Sequence, residues 1–70
     1  MERYDYNKLL GKMREKRVTQ DALAAEIGIS STSMNLSLNN KRDFRQDEIL
    51  SVCEVLDIPL SEIPRYFFTA

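Results

Sequence analysis

Apolar side chains recur at intervals of three and four residues along most of the chain, the spacing that places them on one face of an α-helix. The pattern predicts helices over about residues 6–16, 20–27, 31–39, 46–56 and 59–63. Pro59 suits the first position of the last helix, and Pro64 prevents its easy continuation, so residues 64–70 are expected to form a tail. The sequence therefore predicts a single all-α domain spanning residues 1–70.

The stretch 19–39 predicts two short helices joined by a tight turn. Thr19 and Ser30 each precede a helical stretch, and their hydroxyls can accept an N–H of the first turn that has no other partner. Gly28 lies between the two stretches and adopts positive φ at little cost, so it ends the first helix. This spacing predicts a helix-turn-helix. The alternative is a simple helical hairpin in a small bundle.

Composition limits the chemistry that the chain can perform. The 70 residues include no His, no Trp and one Cys, which removes His-based catalysis, His-containing metal sites and an internal disulfide. No phosphate-binding glycine loop is present, so we expect no enzyme activity, cofactor, metal or small-molecule substrate. The N-terminus lacks a signal peptide, and no run approaches the roughly 18 apolar residues of a membrane span. A cytoplasmic protein without a membrane partner is expected.

Charge is distributed unevenly along the chain. The net charge is −1, but residues 1–45 carry nine Lys or Arg against six acids, and residues 46–70 carry one Arg against five acids. Two basic clusters flank the predicted helix-turn-helix. They consist of Lys8, Lys12, Arg14, Lys16 and Arg17, and of Lys41, Arg42 and Arg45. Most charge runs are ordinary solvated surface, but this placement also fits two patches that contact DNA phosphates.

The third predicted helix carries the residues suited to reading bases. A helix that enters the major groove needs polar side chains on its first turns, and Ser31, Thr32 and Asn35 lie on the outward face there. Asn35 can form two hydrogen bonds with an adenine edge. The alternative is a hydroxyl-rich helix start without a partner.

Polar and basic residues beside this helix are the candidates for phosphate contacts. Gln20 lies at an N-terminus whose free N–H groups favour anions, and the segment 39–42 follows the third helix. The predicted phosphate-binding residues are Arg17, Gln20, Ser33, Asn39, Lys41 and Arg42. Gln20 is otherwise a solvated first-turn residue.

Three aromatic residues lie together near the C-terminus. Tyr66, Phe67 and Phe68 can close the core of so small a domain, or they can form an apolar patch for dimer or partner contact. Both roles are expected to contribute.

Several residues of this central stretch also resemble a known family. Thr19-Gln20, Leu23-Ala24, Gly28-Ile29-Ser30, Met34 and Asn39-Asn40-Lys41-Arg42 resemble the helix-turn-helix of lambda-repressor-like and Cro-like regulators, the XRE class. The resemblance covers about residues 6–63 and implies a compact five-helix DNA-binding domain. The segments YDYNKLLGKM, FRQDEIL and DIPLSEIPRYFF look similar to short regulators of temperate phages in Gram-positive bacteria.

The resemblance implies particular roles for residues of this chain. The third helix would read operator DNA through the positions of Ser31, Thr32 and Asn35. Phosphate contacts would come from the positions of Gln20, Asn39 and the Lys41-Arg42 loop. The chain departs from the family in having Asn40 where Gly is common, Arg45 where Ser or Thr is common, and Ser-Thr-Ser where Gln or Arg often begins the third helix.

These observations lead to one main functional prediction and two alternatives. The main prediction is a transcriptional regulator that binds double-stranded operator DNA as a homodimer, with half-sites about 34 Å apart. The first alternative is an antirepressor whose helix 2–3 face, with exposed Met, Leu and short polar residues, docks on another phage repressor; the acidic pI of 5.3 motivates it. The second is a structural helical module or toxin–antitoxin component.

Overall fold

Residues 4–70 are described by a computed structural model, and within this range the chain forms five α-helices and no β-strand. The helices are α1 (Asn7–Lys16), α2 (Gln20–Ile27), α3 (Ser31–Leu38), α4 (Gln46–Leu56) and α5 (Ile63–Phe67), with a 3₁₀ turn at Leu60–Glu62 before α5. The predicted all-α, five-helix fold class is confirmed. The first and third helices are each one residue shorter than predicted, because Tyr6 and Asn39 flank them as caps.

A single apolar core joins the helices. Helix α2 packs against α3 and α4, and α1 packs against α4 and α5. The buried apolar residues are Tyr6, Leu9, Met13, Leu23, Ala24, Met34, Leu38, Ile49, Val52, Cys53, Leu56, Ile58, Tyr66 and Phe67. Each helix therefore contributes one face to the core and leaves its other face to solvent.

Side-chain caps fix the starts of α2 and α3, and one glycine forms the turn between these helices. The hydroxyl of Thr19 accepts the N–H of Ala22 at 3.1 Å, and that of Ser30 accepts the N–H of Ser33 at 3.0 Å. Gly28 ends α2 with φ 81°, a left-handed conformation that glycine adopts without strain from a side chain. These local interactions hold α3 beside α2 with its outer face in solvent.

The last helix differs from the prediction. The segment expected at 59–63 is a 3₁₀ turn, and the residues expected as a tail form α5. Pro64 does not stop this helix, because it lies in the first turn, where its missing N–H has no intrahelical acceptor. The side chains of Tyr66 and Phe67 are thereby directed into the core.

Candidate interaction surface

The outer face of α3 brings the three predicted base-reading residues together. Ser31, Thr32 and Asn35 are all exposed, and Leu36 lies beside them with 36% of its surface accessible. Met34 was expected on this face, but it is fully buried because α3 packs against α2 through it. The face of α3 is therefore uncharged, with short polar side chains and one leucine.

Helix α2, which packs against α3, also leaves one side exposed. Asp21, Ala22, Ala25 and Glu26 are exposed there. The side chains of Ala22 and Ala25 are short and project little from α2. The carboxylates of Asp21 and Glu26 give this side of the helix a negative charge. We call the exposed residues of α2 and α3 the α2–α3 face. Its members are Asp21, Ala22, Ala25, Glu26, Ser31, Thr32, Asn35 and Leu36, and none of them is cationic.

The predicted phosphate-binding residues lie at the two ends of this face. Arg17 is exposed and Gln20 half-buried at the start of α2, and Lys41 is exposed beyond α3. Two others use their polar atoms within the chain: Asn39 donates from Nδ2 to the carbonyl of Asn35 at 2.8 Å, and the hydroxyl of Ser33 contacts that of Ser30 at 3.0 Å.

Arg42, the sixth phosphate candidate, does not point outward as predicted. Its guanidinium donates to both carboxylate oxygens of Glu48 at 2.9 and 2.8 Å, and to the hydroxyl of Ser37 at 2.8 Å. Glu48 also accepts the backbone N–H of Arg45 at 2.9 Å, which caps the start of α4. The physical reason for the difference is that Glu48 is buried and needs a cationic partner.

This ion pair shifts the ionisation of both partners. Hydrogen bonding from Arg42 lowers the pKa of Glu48 below its ordinary value, despite the opposing effect of burial. The hydrogen bond with Glu48 raises the pKa of Arg42. The sequence contains a signal for this cluster, because a glutamate three residues after the cap position is the usual N-terminal partner of a helix cap.

Four other basic residues also lie beside groups of the same chain. Side-chain nitrogens of Lys12, Lys16 and Arg45 lie 3.3 to 3.5 Å from carboxylates of Glu15, Asp57 and Asp47, respectively. The ammonium of Lys8 lies 5.2 Å from the ring centre of Tyr66. The two basic clusters of the sequence are therefore partly neutralised where they flank α3.

The aromatic patch predicted for dimer or partner contact is mostly core. Tyr66 and Phe67 are 6% and 1% exposed, because α5 packs its inner face against α1 and α4. Only Phe68 is exposed, at 51%, and its ring meets that of Tyr4 edge-on at 5.6 Å. The prediction of a contact role is wrong for Tyr66 and Phe67.

Asn40 has a role that the sequence did not reveal. Its side chain accepts the N–H of Tyr4 at 3.0 Å and donates to the carbonyl of Tyr4 at 2.9 Å, while its own φ is 61°. It thereby fastens the N-terminal segment to the end of α3. Asparagine tolerates this left-handed conformation better than most residues, which is the signal available in the sequence.

Residues 4–70 contain neither a metal site nor a membrane-spanning helix. No group of three His, Cys, Asp or Glu residues is placed to hold a metal ion. No helix in that range has the length and apolar character needed to cross a membrane. Cys53 is buried, and burial raises the pKa of its thiol, which disfavours the reactive thiolate.

Comparison with known proteins gives a family and a structural relative. Residues 2–70 match the family described as protein of unknown function (DUF739). The solved structure of the modulator of repression (MOR) of the temperate bacteriophage TP901-1 from Lactococcus lactis is similar, with a TM-score of 0.79 and 44% sequence identity. The match covers 94% of this chain and 89% of MOR. A search of curated protein sequences gave no match.

Proposed function

The chain belongs to the DUF739 family, and from this membership and its likeness to a phage modulator of repression we propose that it modulates a phage repressor. It binds the repressor protein through the α2–α3 face and covers the surface with which the repressor contacts DNA. The chain acts by binding, without catalysis.

The charge of the α2–α3 face is the observation that carries this proposal. The face contains two carboxylates, Asp21 and Glu26, and no cation. Operator DNA is a dense array of phosphates, so affinity for it comes largely from Lys and Arg. A DNA-binding surface of a repressor carries the opposite charge to DNA, and a neutral-to-acidic face is complementary to such a surface.

The ion pairs beside the face support the same conclusion. Arg42 is held by Glu48, and Arg45 lies beside Asp47, so two of the three cations that follow α3 face acids of the same chain. Lys41 is exposed there. Releasing Arg42 to a phosphate would leave the buried Glu48 without its strongest partner, which is unfavourable.

The shape of the α2–α3 face also suits a protein partner. Ala22, Ala25, Ser31 and Thr32 have short side chains, so a second protein can approach the helices closely, and Leu36 offers an apolar contact. Long side chains that reach base edges across a groove, such as Arg and Gln, do not occur on the exposed part of α3.

Two substitutions of Asn35 that introduce opposite charges test the proposal. Asn35 is exposed near the middle of α3, and Arg and Glu are both good helix formers. Against a cationic partner, we expect Asn35→Arg to weaken binding to the repressor about tenfold more than Asn35→Glu. Isothermal titration calorimetry with the purified repressor measures both constants. Equal effects of the two substitutions, or none, would contradict a cationic partner at this face.

Direct operator binding is the second candidate function. It is favoured by the common exposure of Ser31, Thr32 and Asn35 on one face of α3, held by capped helices. A homodimer would then present two such faces about 34 Å apart. Fluorescence anisotropy with labelled promoter DNA at two salt concentrations tests it, and Asn35→Arg would strengthen this binding. Affinity that falls steeply with salt and survives competitor DNA would favour the operator function over the proposal.

A further inference from the structure

A groove beside the start of α2 has an apolar floor and a basic rim. It runs between the second half of α1 and the start of α2 and has a volume of about 490 Å³. Leu10, Met13 and Val18 form its floor, and Arg14 and Arg17 form part of its rim. The lining is completed by Thr19 and Gln20.

The two arginines differ from the other cations around them. Neither side chain forms an ion pair or a hydrogen bond with any residue from 4 to 70, whereas Lys12 and Lys16 on the same helix lie beside carboxylates. Both arginines are exposed. The rim therefore presents two guanidinium groups that remain available to acidic groups from outside the chain.

The floor distinguishes this groove from a phosphate-binding surface. Leu10 and Val18 are half-buried beside the core, so part of their apolar surface faces the groove. Phosphate contacts need donors and charge but gain nothing from apolar surface. An apolar floor with a charged rim is instead the usual form of a groove that receives an amphipathic helix.

We propose that this groove binds an acidic amphipathic helix of a partner protein. An apolar side chain of the helix packs on Leu10 and Val18, and two of its carboxylates pair with Arg14 and Arg17. Arg14 lies in the last turn of α1, and Arg17 is the C-cap residue that follows it, with φ 58°. Carboxylates at i and i+3 or i+4 of the partner helix lie on one face of that helix, roughly 5–6 Å apart between Cβ atoms, so both can face the rim of the groove.

The proposal does not depend on the function of the α2–α3 face. The groove is lined by Arg14 and Arg17 and by no acidic residue, whereas the α2–α3 face carries Asp21 and Glu26 and no cation, so the two surfaces have opposite charge preferences. The α2–α3 face suits a cationic surface, and the groove suits an acidic helix. One partner, or two different ones, can use the two surfaces together.

Titration of the isotopically labelled protein with a synthetic peptide tests the groove by nuclear magnetic resonance. The probe is a helical peptide with two leucines four residues apart, flanked by glutamates at helical spacing. We expect saturable shifts that cluster at the amides of Leu10, Arg14, Val18 and Gln20. Matched peptides with lysine for glutamate, or alanine for leucine, should bind at least about tenfold more weakly, because each lacks one half of the recognition.

Charge-reversed variants make the test specific to this site. Arg14→Glu should weaken peptide binding about tenfold. Lys41→Glu changes the net charge equally at an exposed position beyond α3 and should leave the binding unchanged. Both residues are exposed, and the spectrum of each variant reports whether the fold is kept.

Three outcomes would overturn the proposal. The first is the absence of shifts at millimolar peptide. The second is equal binding by the alanine peptide, which would remove the role of the apolar floor. The third is a short DNA duplex that shifts the same amides where the peptide does not, which would make the groove a nucleic-acid contact.

Discussion

At the scale of single residues, the pair Arg42–Glu48 shows how one carboxylate can redirect a predicted ligand. The sequence places Arg42 in a basic loop beside a helix, a position suited to phosphate contact. Burial of Glu48 three residues after Arg45 decides otherwise, because a buried carboxylate needs donors and Arg42 supplies two of them. Sequence alone does not reveal which acid is buried, so it could not distinguish the two roles.

Glu48→Gln is expected to destabilise the fold by about 1–3 kcal/mol at neutral pH, because it leaves Arg42 without its carboxylate and weakens the cap of α4. Urea denaturation measures the change. The matched control is Asp47→Asn, whose carboxylate is 76% exposed beside Arg45, and we expect it to cost less than about 0.5 kcal/mol. Similar costs for the two variants would contradict a structural role for the buried pair.

The same pair makes stability depend on pH in a definite direction. The pKa of Glu48 is lower in the folded chain, so its contribution is present above the unfolded pKa of about 4.3 and is lost as the pH falls through the folded pKa. We expect the difference in unfolding free energy between the native chain and Glu48→Gln to shrink in acid. Urea titrations between pH 7 and pH 3 measure it. A difference that stays constant over this pH range would exclude the ionisation of Glu48 as a cause of the pH dependence of stability.

At the scale of secondary structure, the spacing of apolar residues determines where each helix runs, and capping residues and prolines determine where it begins and ends. Helices α2 and α4 begin and end at the residues that the pattern gives, because their caps and apolar faces agree. The sequence pattern misplaces the last helix, because Pro64 looks like a stop signal but lies in the first turn of α5. A proline serves equally in the first turn of a helix, and only the packing of Tyr66 and Phe67 decides between these roles.

The two glycines of the chain should respond to alanine in opposite directions. Gly28 has φ 81° and no atom within 4 Å of an added Cβ, so Gly28→Ala costs only backbone strain, about 1–2 kcal/mol. Gly11 is helical, and an added Cβ meets only Arg14 Nη2 at 3.9 Å, so Gly11→Ala should stabilise by about 0.5–1 kcal/mol. Thermal unfolding measures both. If both substitutions shifted the melting temperature in the same direction, the assignment of Gly28 to a left-handed turn and of Gly11 to a helix interior would be contradicted.

At the scale of the whole molecule, charge distribution rather than fold separates the candidate functions. The fold class and the common exposure of Ser31, Thr32 and Asn35 follow from periodicity and capping. The pairing of Lys12, Lys16 and Arg45 with acids depends on how helices and turns meet, and the sequence gives no direct access to it. The two basic clusters of the sequence therefore lie outside the α2–α3 face, which carries only acidic charge, and Arg14 and Arg17 of the first cluster line the basic groove.

Modulation of a phage repressor is tested most directly by a displacement titration followed by fluorescence anisotropy. Labelled operator DNA is first saturated with the phage repressor that the chain is proposed to modulate, and the purified chain is then added. We predict that the anisotropy falls to the value of free DNA as the chain occupies the repressor, and that Asn35→Arg needs about ten times more protein to reach the same fall. An unchanged anisotropy, together with salt-sensitive binding of the chain itself to the operator, would contradict the account and establish a DNA-binding regulator.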